Sequence, residues 1–327
     1  MSSPPILRSK ALAPAEVDGA LREWGGFSIE FDEGELPWPQ AIAAARDLFG
    51  HPRATKADLA IERSAHFRGW SEMHNERDWR EQLHLGRERP DSGRSPDFLG
   101  LEGPNLWPTD LEFRRAMSGY IDATAALAET ILARLAEALH LDDAPFAGIG
   151  GDGYLVMKLI GYHPQASSAG SRPGVAPHVD FSWLTLTLQD SPGLEVRAPG
   201  GRWTLIEPRP GVLWVHAGEL LQFATGGRYQ AAPHRVINHS LDRMRVSIPL
   251  FVNPPLDAEV PVFARPPTPL EIDPAASREH VHRVLTPSVP AVPFHFGEAE
   301  WRRKGLGQWC ATCVPESPTS ISPLDES

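Results

Sequence analysis

Two short segments of the chain carry side chains that can bind a metal ion. His178 and Asp180 stand two residues apart in APHVDFS, and His234 lies much farther along, in AAPHRVIN. Alternate residues of a strand project from the same face, so His178 and Asp180 can converge on one point. Two imidazoles and one carboxylate on one side of a metal leave its other side open, as in non-haem Fe(II) enzymes that bind a cosubstrate and oxygen together. The sequence contains 13 histidines, so H-x-D alone is weak evidence for such a site.

A second pair of residues could bind a carboxylate. Arg245 and Ser247 in RMRVSIPLF share one face of a predicted strand, and the opposite face is apolar, with Met244, Val246, Ile248 and Leu250. We expect the apolar face to pack outward against a helix, which turns Arg245 inward. A buried guanidinium is costly unless it is paired. A ligand carboxylate would pair it through two parallel hydrogen bonds, with the serine hydroxyl adding a third; an ordinary structural pair with an aspartate is the alternative.

The spacing of apolar residues changes midway along the chain. Helical spacing predicts one helix over Pro37–Phe49 and a longer one from Thr109 to about Leu139, where Thr109 and Glu112 form a capping-box pattern. From Gly153 onward the period falls to two, and short segments bounded by Gly, Pro, Asp or Asn predict many strands. Many short strands without intervening helices are typical of a sandwich or a closed barrel rather than of a parallel sheet.

Composition and charge exclude several classes of partner. The chain has 327 residues and a net charge of −11, which argues against binding nucleic acid or an anionic membrane. No apolar run approaches the ~20 residues that span a bilayer, and the start lacks the apolar region of a secretory signal. Cys310 and Cys313 lack the further ligands of a zinc site, and we interpret them as incidental. We predict a cytoplasmic protein, a monomer or small homo-oligomer, that acts on a small molecule.

Taken together, the motifs resemble the isopenicillin-N-synthase-like family of Fe(II)/2-oxoglutarate-dependent dioxygenases. The elements H-x-D, H-R-V and R-x-S follow each other as in that family. The run from QDSPGLEV through GGRWTLIEPRPGVLWVHAGELLQFATGGRYQAAPHRVIN is similar to the family segment that ends at the metal histidine. GGFSIEF, RGWSE, DWREQLHLG and FHFGEAEWRRKG are weaker matches to its other motifs. The resemblance covers roughly residues 15–307.

The resemblance implies a fold and a set of site residues. The fold would be mainly β with flanking helices: a double-stranded β-helix (a cupin-like jelly roll) backed by the long helix. The matching positions imply His178, Asp180 and His234 as iron ligands, Arg245 and Ser247 as the anchor for the distal carboxylate of 2-oxoglutarate, and Tyr162 as a further contact to that cosubstrate. Ile160 and His163 stand where the family commonly has asparagine and proline. This departure weakens the assignment of Tyr162.

The implied activity is the oxidation of a small organic molecule, in specialised metabolism for example, with O2 as oxidant and release of succinate and CO2. The outcome would be hydroxylation, desaturation or ring closure, because halogenating relatives lack the carboxylate ligand that Asp180 supplies here. Three alternatives stay open at this point. They are an isopenicillin-N-synthase-type oxidase that uses no 2-oxoglutarate, an ethylene-forming-type enzyme that fragments 2-oxoglutarate, and a non-catalytic binding module on the same fold.

The chain is expected to form one structural domain with four regions. Residues 1–150 would be mostly helical with a substrate-side loop at 63–103, and residues 151–256 would be the jelly-roll catalytic core. Residues 257–309 would be a C-terminal extension, and 310–327 a disordered tail. Candidate substrate contacts in the loop and after the H-x-D motif are Trp70, Met73, His74, Gln82, His84, Phe181 and Trp183. His216 is expected to be a structural residue near the barrel, and nothing in the sequence identifies the substrate.

Overall fold

Two β-sheets face each other at the centre of the molecule. The computed structural model describes residues 3–32, 34–91, 93, 97–141, 146, 151–164, 173–197, 201–240, 242–263 and 293–304. The strands are β1 (Ile6–Arg8), β2 (Gly26–Glu30), β3 (Gly69–His74), β4 (Trp79–Leu85), β5 (Leu155–Tyr162), β6 (Pro173–His178), β7 (Leu184–Gln189), β8 (Leu194–Arg197), β9 (Trp203–Leu205), β10 (Val212–Ala217), β11 (His234–Ile237), β12 (Arg245–Val252), β13 (Glu259–Val260) and β14 (Phe294–His295). The helices are α1 (Pro14–Trp24), α2 (Trp38–Gly50), α3 (Arg53–Lys56), α4 (Leu111–Ala138), α5 (Glu219–Ala224) and α6 (Phe296–Arg303). The predicted tail at 310–327, with Cys310 and Cys313, lies outside the described residues.

The strand order is that of a jelly roll. The larger sheet has eight strands in the order β1-β2-β10-β7-β12-β5-β4-β3, and the smaller has four in the order β6-β11-β8-β9. Chain neighbours such as β6 and β7 lie in different sheets, so the chain crosses repeatedly between the two layers. The predicted fold class, mainly β with a jelly-roll core, is confirmed.

The long helix α4 covers the outer face of the larger sheet. The apolar stripe predicted from the sequence is buried along α4, including its one polar member, Thr124. The N-cap is Asp110, whose carboxylate accepts a hydrogen bond from the backbone N–H of Glu112 at 2.8 Å. The prediction of Thr109 as the cap is wrong by one residue, because Thr and Asp both cap helices well and the local pattern cannot choose between neighbours. No helix of the described residues is long and apolar enough to span a membrane.

The alternation along β12 separates two environments. Val246, Ile248 and Leu250 are fully buried in the cluster that α2 and α4 share with the larger sheet. Burial of each such side chain contributes about 1.5–3 kcal/mol. Arg245 and Ser247 alternate with them and therefore face the smaller sheet. The prediction that this strand turns its apolar face outward and Arg245 inward is confirmed.

A second, smaller apolar cluster closes part of the space between the sheets. It joins residues of both layers, namely Ile160, Tyr162, Val175, Leu194, Val196, Ile206, Trp214 and Val236. Trp214 is 1% exposed. The remaining space between the sheets is lined by polar side chains, and this is where the candidate site lies.

The segment at 63–103 differs from its predicted form. An antiparallel hairpin of β3 and β4 occupies residues 69–85 and extends the larger sheet through pairing of β4 with β5. The expectation of an extended loop is wrong here, because the inward face of β4 carries Gln82 and His84, and polar residues at inner positions hide the usual strand pattern. Strands β1 and β2 also join this sheet, so the jelly roll draws on residues outside 151–256.

A buried ion pair fastens this hairpin to the helical layer. Glu81 is 1% exposed, and one of its carboxylate oxygens accepts hydrogen bonds from Lys56 at 2.6 Å and from the Trp70 indole at 2.7 Å. The other oxygen lies 2.6 Å from Nε2 of His163. Burial alone would raise the pKa of Glu81, but the bonds to His163, Lys56 and Trp70 hold it below its ordinary value. The carboxylate therefore stays ionised inside the fold.

We expect Glu81→Gln to lower the free energy of unfolding by about 3 kcal/mol, because it leaves the buried Lys56 ammonium without a counter-charge. Urea unfolding at neutral pH measures this change. The matched control is Glu72→Gln, which breaks the pair of half-buried Glu72 with exposed Arg53 and should cost less than about 1 kcal/mol. The depressed pKa means that Glu81 stabilises the fold above about pH 4 and loses this effect as the pH falls, so parent and variant should converge in acid. Equal stability of the two proteins at neutral pH would refute this role.

Candidate metal centre and cosubstrate site

Three side chains meet where the two sheets come together. His178 ends β6, Asp180 follows it in the connection to β7, and His234 begins β11 directly opposite His178. Ligand atoms of the three residues all lie within 4.8 Å of one another. Oδ1 of Asp180 is 3.5 Å from Nε2 of His178 and 3.7 Å from Nε2 of His234. The predicted convergence of two distant segments is therefore present in the fold.

Backbone contacts orient both imidazoles toward the same point. Nδ1 of His178 lies 2.9 Å from the carbonyl oxygen of Ala176, and Nδ1 of His234 lies 3.0 Å from that of Ala232. A carbonyl can only accept, so each Nδ1 carries the proton and each Nε2 keeps a free lone pair. Burial, together with the neighbouring His178, lowers the pKa of His234 to about 3. His234 is thus neutral, which is the form that binds a metal.

The second oxygen of Asp180 is held from the larger sheet. Oδ2 accepts a hydrogen bond from the Thr185 hydroxyl at 2.7 Å and one from Nε2 of His216 at 2.9 Å. Burial alone would raise the pKa of Asp180, but His234, His178 and His216 hold it well below the ordinary value. Oδ1 is therefore the oxygen that faces the two imidazoles, and the carboxylate cannot rotate without losing both bonds.

Thr185 and His216 are functional residues that the sequence analysis missed. His216 was expected to be a structural residue near the barrel, and it proves to position the candidate ligand Asp180 directly. Both residues lie on the inner face of neighbouring strands, where His216 of β10 pairs with Thr185 of β7. The polar residues at alternate positions of LTLTLQ and VLWVHA are the signal that could have found them.

Arg245 is buried with one part of its guanidinium unpaired. Nε donates to the carbonyl oxygens of Ser191 and Pro192, each at 3.1 Å, and Nη2 donates to Oε1 of Gln189 at 2.9 Å. Nη1 has no hydrogen-bond partner among the described residues, although Arg245 is only 1% exposed. Burial lowers the pKa of Arg245 from its ordinary value. An unpaired, buried N–H of this kind is a site for an anionic ligand.

Two further predicted residues surround this guanidinium. Tyr162 lies directly opposite Arg245 in the pairing of β5 with β12, and its ring centroid is 4.8 Å from the guanidinium carbon. Ser247 is buried two residues along β12, on the same face as Arg245. The structure therefore brings Arg245, Ser247 and Tyr162 together between the sheets.

The predicted substrate contacts on the hairpin divide by strand face. Met73, Gln82 and His84 lie on the inner face, in register with the inward side of β5. Trp70 and His74 lie on the opposite face, which Glu81 shares. The structure corrects the prediction for Trp70 and His74, because a single step along a strand reverses the direction of the side chain.

The two predicted contacts after the H-x-D motif are both buried. Phe181 stacks on Phe296 of α6 with ring centroids 6.0 Å apart. Trp183 is 1% exposed and packs edge-on against Phe146, with centroids 5.3 Å apart. Both residues belong to the apolar core cluster, and Phe181 follows Asp180 directly in the sequence.

The donor set and the unpaired guanidinium fit Fe(II) and 2-oxoglutarate. Two neutral imidazoles and one carboxylate, with the opposite side free, are the donor set of non-haem Fe(II) oxygenases. A cosubstrate with two carboxylates can use one at the metal and place the other on Nη1 of Arg245. Each residue in this arrangement keeps a free atom for the group that it would hold.

Comparison with known proteins agrees with this geometry. Residues 151–254 match the 2OG-Fe(II) oxygenase superfamily, and residues 6–110 match the non-haem dioxygenase in morphine synthesis N-terminal family. The homoarginine-6-hydroxylase of Arabidopsis thaliana is 32% identical over 261 residues, which cover 75% of this chain and 77% of that protein. A homoarginine-6-hydroxylase of Oryza sativa subsp. japonica is 35% identical over 265 residues, 75% of this chain and 78% of that protein.

Solved structures share the fold. A 2OG-Fe(II) oxygenase family protein from Caulobacter crescentus superposes with a TM-score of 0.75 at 23% identity, over 93% of this chain and 99% of that chain. A full-length Neurospora crassa protein in complex with alpha-KG superposes with a TM-score of 0.70 at 19% identity, over 92% of this chain and 95% of that chain.

The chain belongs to the 2OG-Fe(II) oxygenase superfamily. It is a 2-oxoglutarate-dependent dioxygenase, and its cofactors are Fe(II) and 2-oxoglutarate. The predicted family, enzyme class and cofactors are confirmed.

We expect Thr185→Val to weaken metal binding about 10- to 100-fold, because it removes one of the two hydrogen bonds that hold Oδ2 of Asp180. Anaerobic competition between the protein and a chromogenic Fe(II) chelator measures the affinity. Thr187→Val is the matched control, since Thr187 lies on the same face of β7 and makes no hydrogen bond to Asp180. If the two variants bind Fe(II) equally well, Thr185 does not position the ligand.

Proposed function

We propose that this enzyme oxidises an unactivated C–H bond of a small organic molecule, with His178, Asp180 and His234 as the iron ligands. Arg245, Ser247 and Tyr162 hold 2-oxoglutarate in this proposal. The observation that carries it is the convergence of three ligand atoms within 4.8 Å while Nδ1 of each histidine and Oδ2 of Asp180 are engaged elsewhere. The proposal covers hydroxylation, desaturation and ring closure.

Bound Fe(II) supplies O2 activation coupled to decarboxylation of 2-oxoglutarate. In a hydroxylation, one oxygen atom of O2 enters succinate and the other enters the product, while CO2 leaves. The protein's own residues bind and orient the cosubstrate and the substrate, and they exclude water. Arg245 fixes the distal carboxylate of the cosubstrate, and the apolar cluster around Tyr162 and Trp214 keeps that end of the space dry.

Asp180 argues for oxygenation rather than halogenation. Its carboxylate occupies the ligand position that halogenating enzymes leave open for halide, and two hydrogen bonds hold it there. Hydroxylation is also the activity in the names of the homoarginine-6-hydroxylases, which supports it as the first outcome to test. The Neurospora crassa protein of the same fold has been solved with thymine, in keeping with a small-molecule substrate here.

Some expectations stay predictions. They are the cytoplasmic location, the state as monomer or small homo-oligomer, the place in specialised metabolism and the formation of one structural domain.

Anaerobic addition of Fe(II) and then 2-oxoglutarate tests the cosubstrate site. We expect a visible charge-transfer band, and we expect Arg245→Met to raise the 2-oxoglutarate concentration needed for half-saturation by about tenfold or more, because a charge-assisted hydrogen bond is lost. Arg209→Met is the control, since Arg209 is exposed. Iron binding without the band would instead indicate the isopenicillin-N-synthase-type oxidase.

Replacement of Asp180 by alanine tests the metal ligands. We expect Asp180→Ala to abolish succinate formation with a panel of metabolites and to lower Fe(II) binding, because the only anionic ligand is removed. Circular dichroism checks that the variant is folded. Intact turnover in Asp180→Ala would show the ligand assignment to be wrong, and ethylene in place of stoichiometric succinate would indicate the ethylene-forming type. A parent protein that binds no Fe(II) would be a binding module.

A further inference from the structure

A group of basic side chains borders the candidate metal centre on the side of the hairpin. It consists of Arg80 on β4, Lys158 on β5, and Arg303 and Lys304 at the end of α6; we call it the basic cluster. His84 and Lys158 pair directly across β4 and β5, so their side chains project from the same inner face. Arg80 lies on that face as well, four residues from His84 along β4.

Three members of the basic cluster already have counter-charges. Glu300 accepts hydrogen bonds from Arg303 at 2.7 and 2.9 Å and lies 3.0 Å from Nζ of Lys304. Burial would raise the pKa of Glu300, but Lys304 and Arg303 lower it to about 2, so it is ionised. Arg80 pairs with Asp78 at 3.2 Å.

Lys158 is the exception. Its ammonium group makes no hydrogen bond and no ion pair with any described residue, and the centroid of the Phe251 ring lies 5.0 Å from Nζ. Burial, followed by the charges of Arg80, Arg303 and Lys304, lowers its pKa to about 7. A lysine held near other cations without an anion is costly, and it becomes favourable when an anion arrives.

Neighbouring polar atoms are also left without partners. Both ring nitrogens of His84 lack a hydrogen bond among the described residues, although His84 is only 4% exposed. Nε of Arg80 and Oε1 of Gln82, on the same strand face, are unpaired as well. Unpaired buried polar atoms are rare in native proteins and indicate that something outside the chain satisfies them.

The position of Lys158 separates this anion from 2-oxoglutarate. Lys158 lies four residues from Tyr162 along β5, about 13 Å at roughly 3.3 Å per residue. In 2-oxoglutarate anchored on Arg245, opposite Tyr162, one carboxylate is assigned to Arg245 and the other to the metal, so neither is left to neutralise Lys158. Lys158 is nevertheless on the side of the metal centre, because the Phe251 ring next to its ammonium belongs to the residue that pairs with Thr185, and Thr185 donates a hydrogen bond to Asp180.

Formal charges lead to the same conclusion. Fe(II) and Arg245 together balance Asp180 and the two carboxylates of 2-oxoglutarate, so the loaded centre is neutral. The positive charge of Lys158 then remains without a counter-charge beside this centre. One ammonium without a counter-ion matches a singly charged carboxylate better than a doubly charged phosphate.

We propose that the substrate of this oxygenase carries a carboxylate, which binds Lys158 with His84 beside it and so holds the substrate next to the iron. This inference rests on the proposed function, because it assigns the substrate class of the same site. Lys158 acts in it as a substrate-binding residue rather than as a ligand of the metal or of 2-oxoglutarate.

Calorimetric titration of the anaerobic enzyme loaded with Fe(II) and 2-oxoglutarate tests this assignment. The probes are benzoate against benzamide, and homoarginine against its amide. We expect each carboxylate that binds to do so at least about tenfold more tightly than its amide, and we expect Lys158→Met to remove this preference while Lys158→Arg retains part of it. The matched control is Lys10→Met, because Lys10 is exposed and its ammonium already has a counter-charge in Asp32.

Two readouts separate failure of this inference from failure of the proposed function. The charge-transfer band with 2-oxoglutarate should be intact in Lys158→Met, and the variant should unfold at the same or a higher temperature, because an unpaired cation has been removed. Absence of the band in the parent protein would refute the proposed function itself. Three results would overturn only the assignment of the substrate class, provided that the band is normal. They are the absence of any carboxylate binding, equal affinity for carboxylates and amides, and a preference for carboxylates that survives in Lys158→Met.

Discussion

The hydrogen bonds that hold the Asp180 carboxylate determine the whole site. One oxygen is bound by Thr185 and His216 from the larger sheet, and the other faces the imidazoles of His178 and His234 from the smaller sheet. The candidate centre therefore exists only where the two layers meet. Because these donors come from separate strands, correct packing of the jelly roll and assembly of the metal centre are a single event.

The larger sheet keeps its two faces chemically distinct. Its outer face is an apolar surface against α2 and α4, with residues such as Ile248 and Leu250 fully buried. Its inner face carries polar residues, of which Arg245 is 1% exposed and Lys158 is half-buried. Apolar burial on one face offsets the cost of these groups on the other, and this allows the fold to hold unpaired charges ready for ligands.

The unpaired cationic groups on the inner face match the negative charges of the ligands. Nη1 of Arg245 and the ammonium of Lys158 lack described partners at two separate levels of the barrel. A cosubstrate with two carboxylates satisfies the first, and a substrate carboxylate is our proposal for the second. The bound state then has fewer unpaired groups than the free protein, so ligand binding also stabilises the fold.

Spacing along the chain by itself determined the long helix, the faces of β12 and the candidate ligands His178, Asp180 and His234, because each follows from a local period or motif. The tertiary structure alone decided that residues 69–85 form a hairpin, that Trp70 faces away from the barrel, and that His216 supports Asp180. These features depend on which strand pairs with which and on which layer each face meets. The order of residues along the chain does not specify that pairing, because hydrogen bonds between distant strands form only when the sheets assemble.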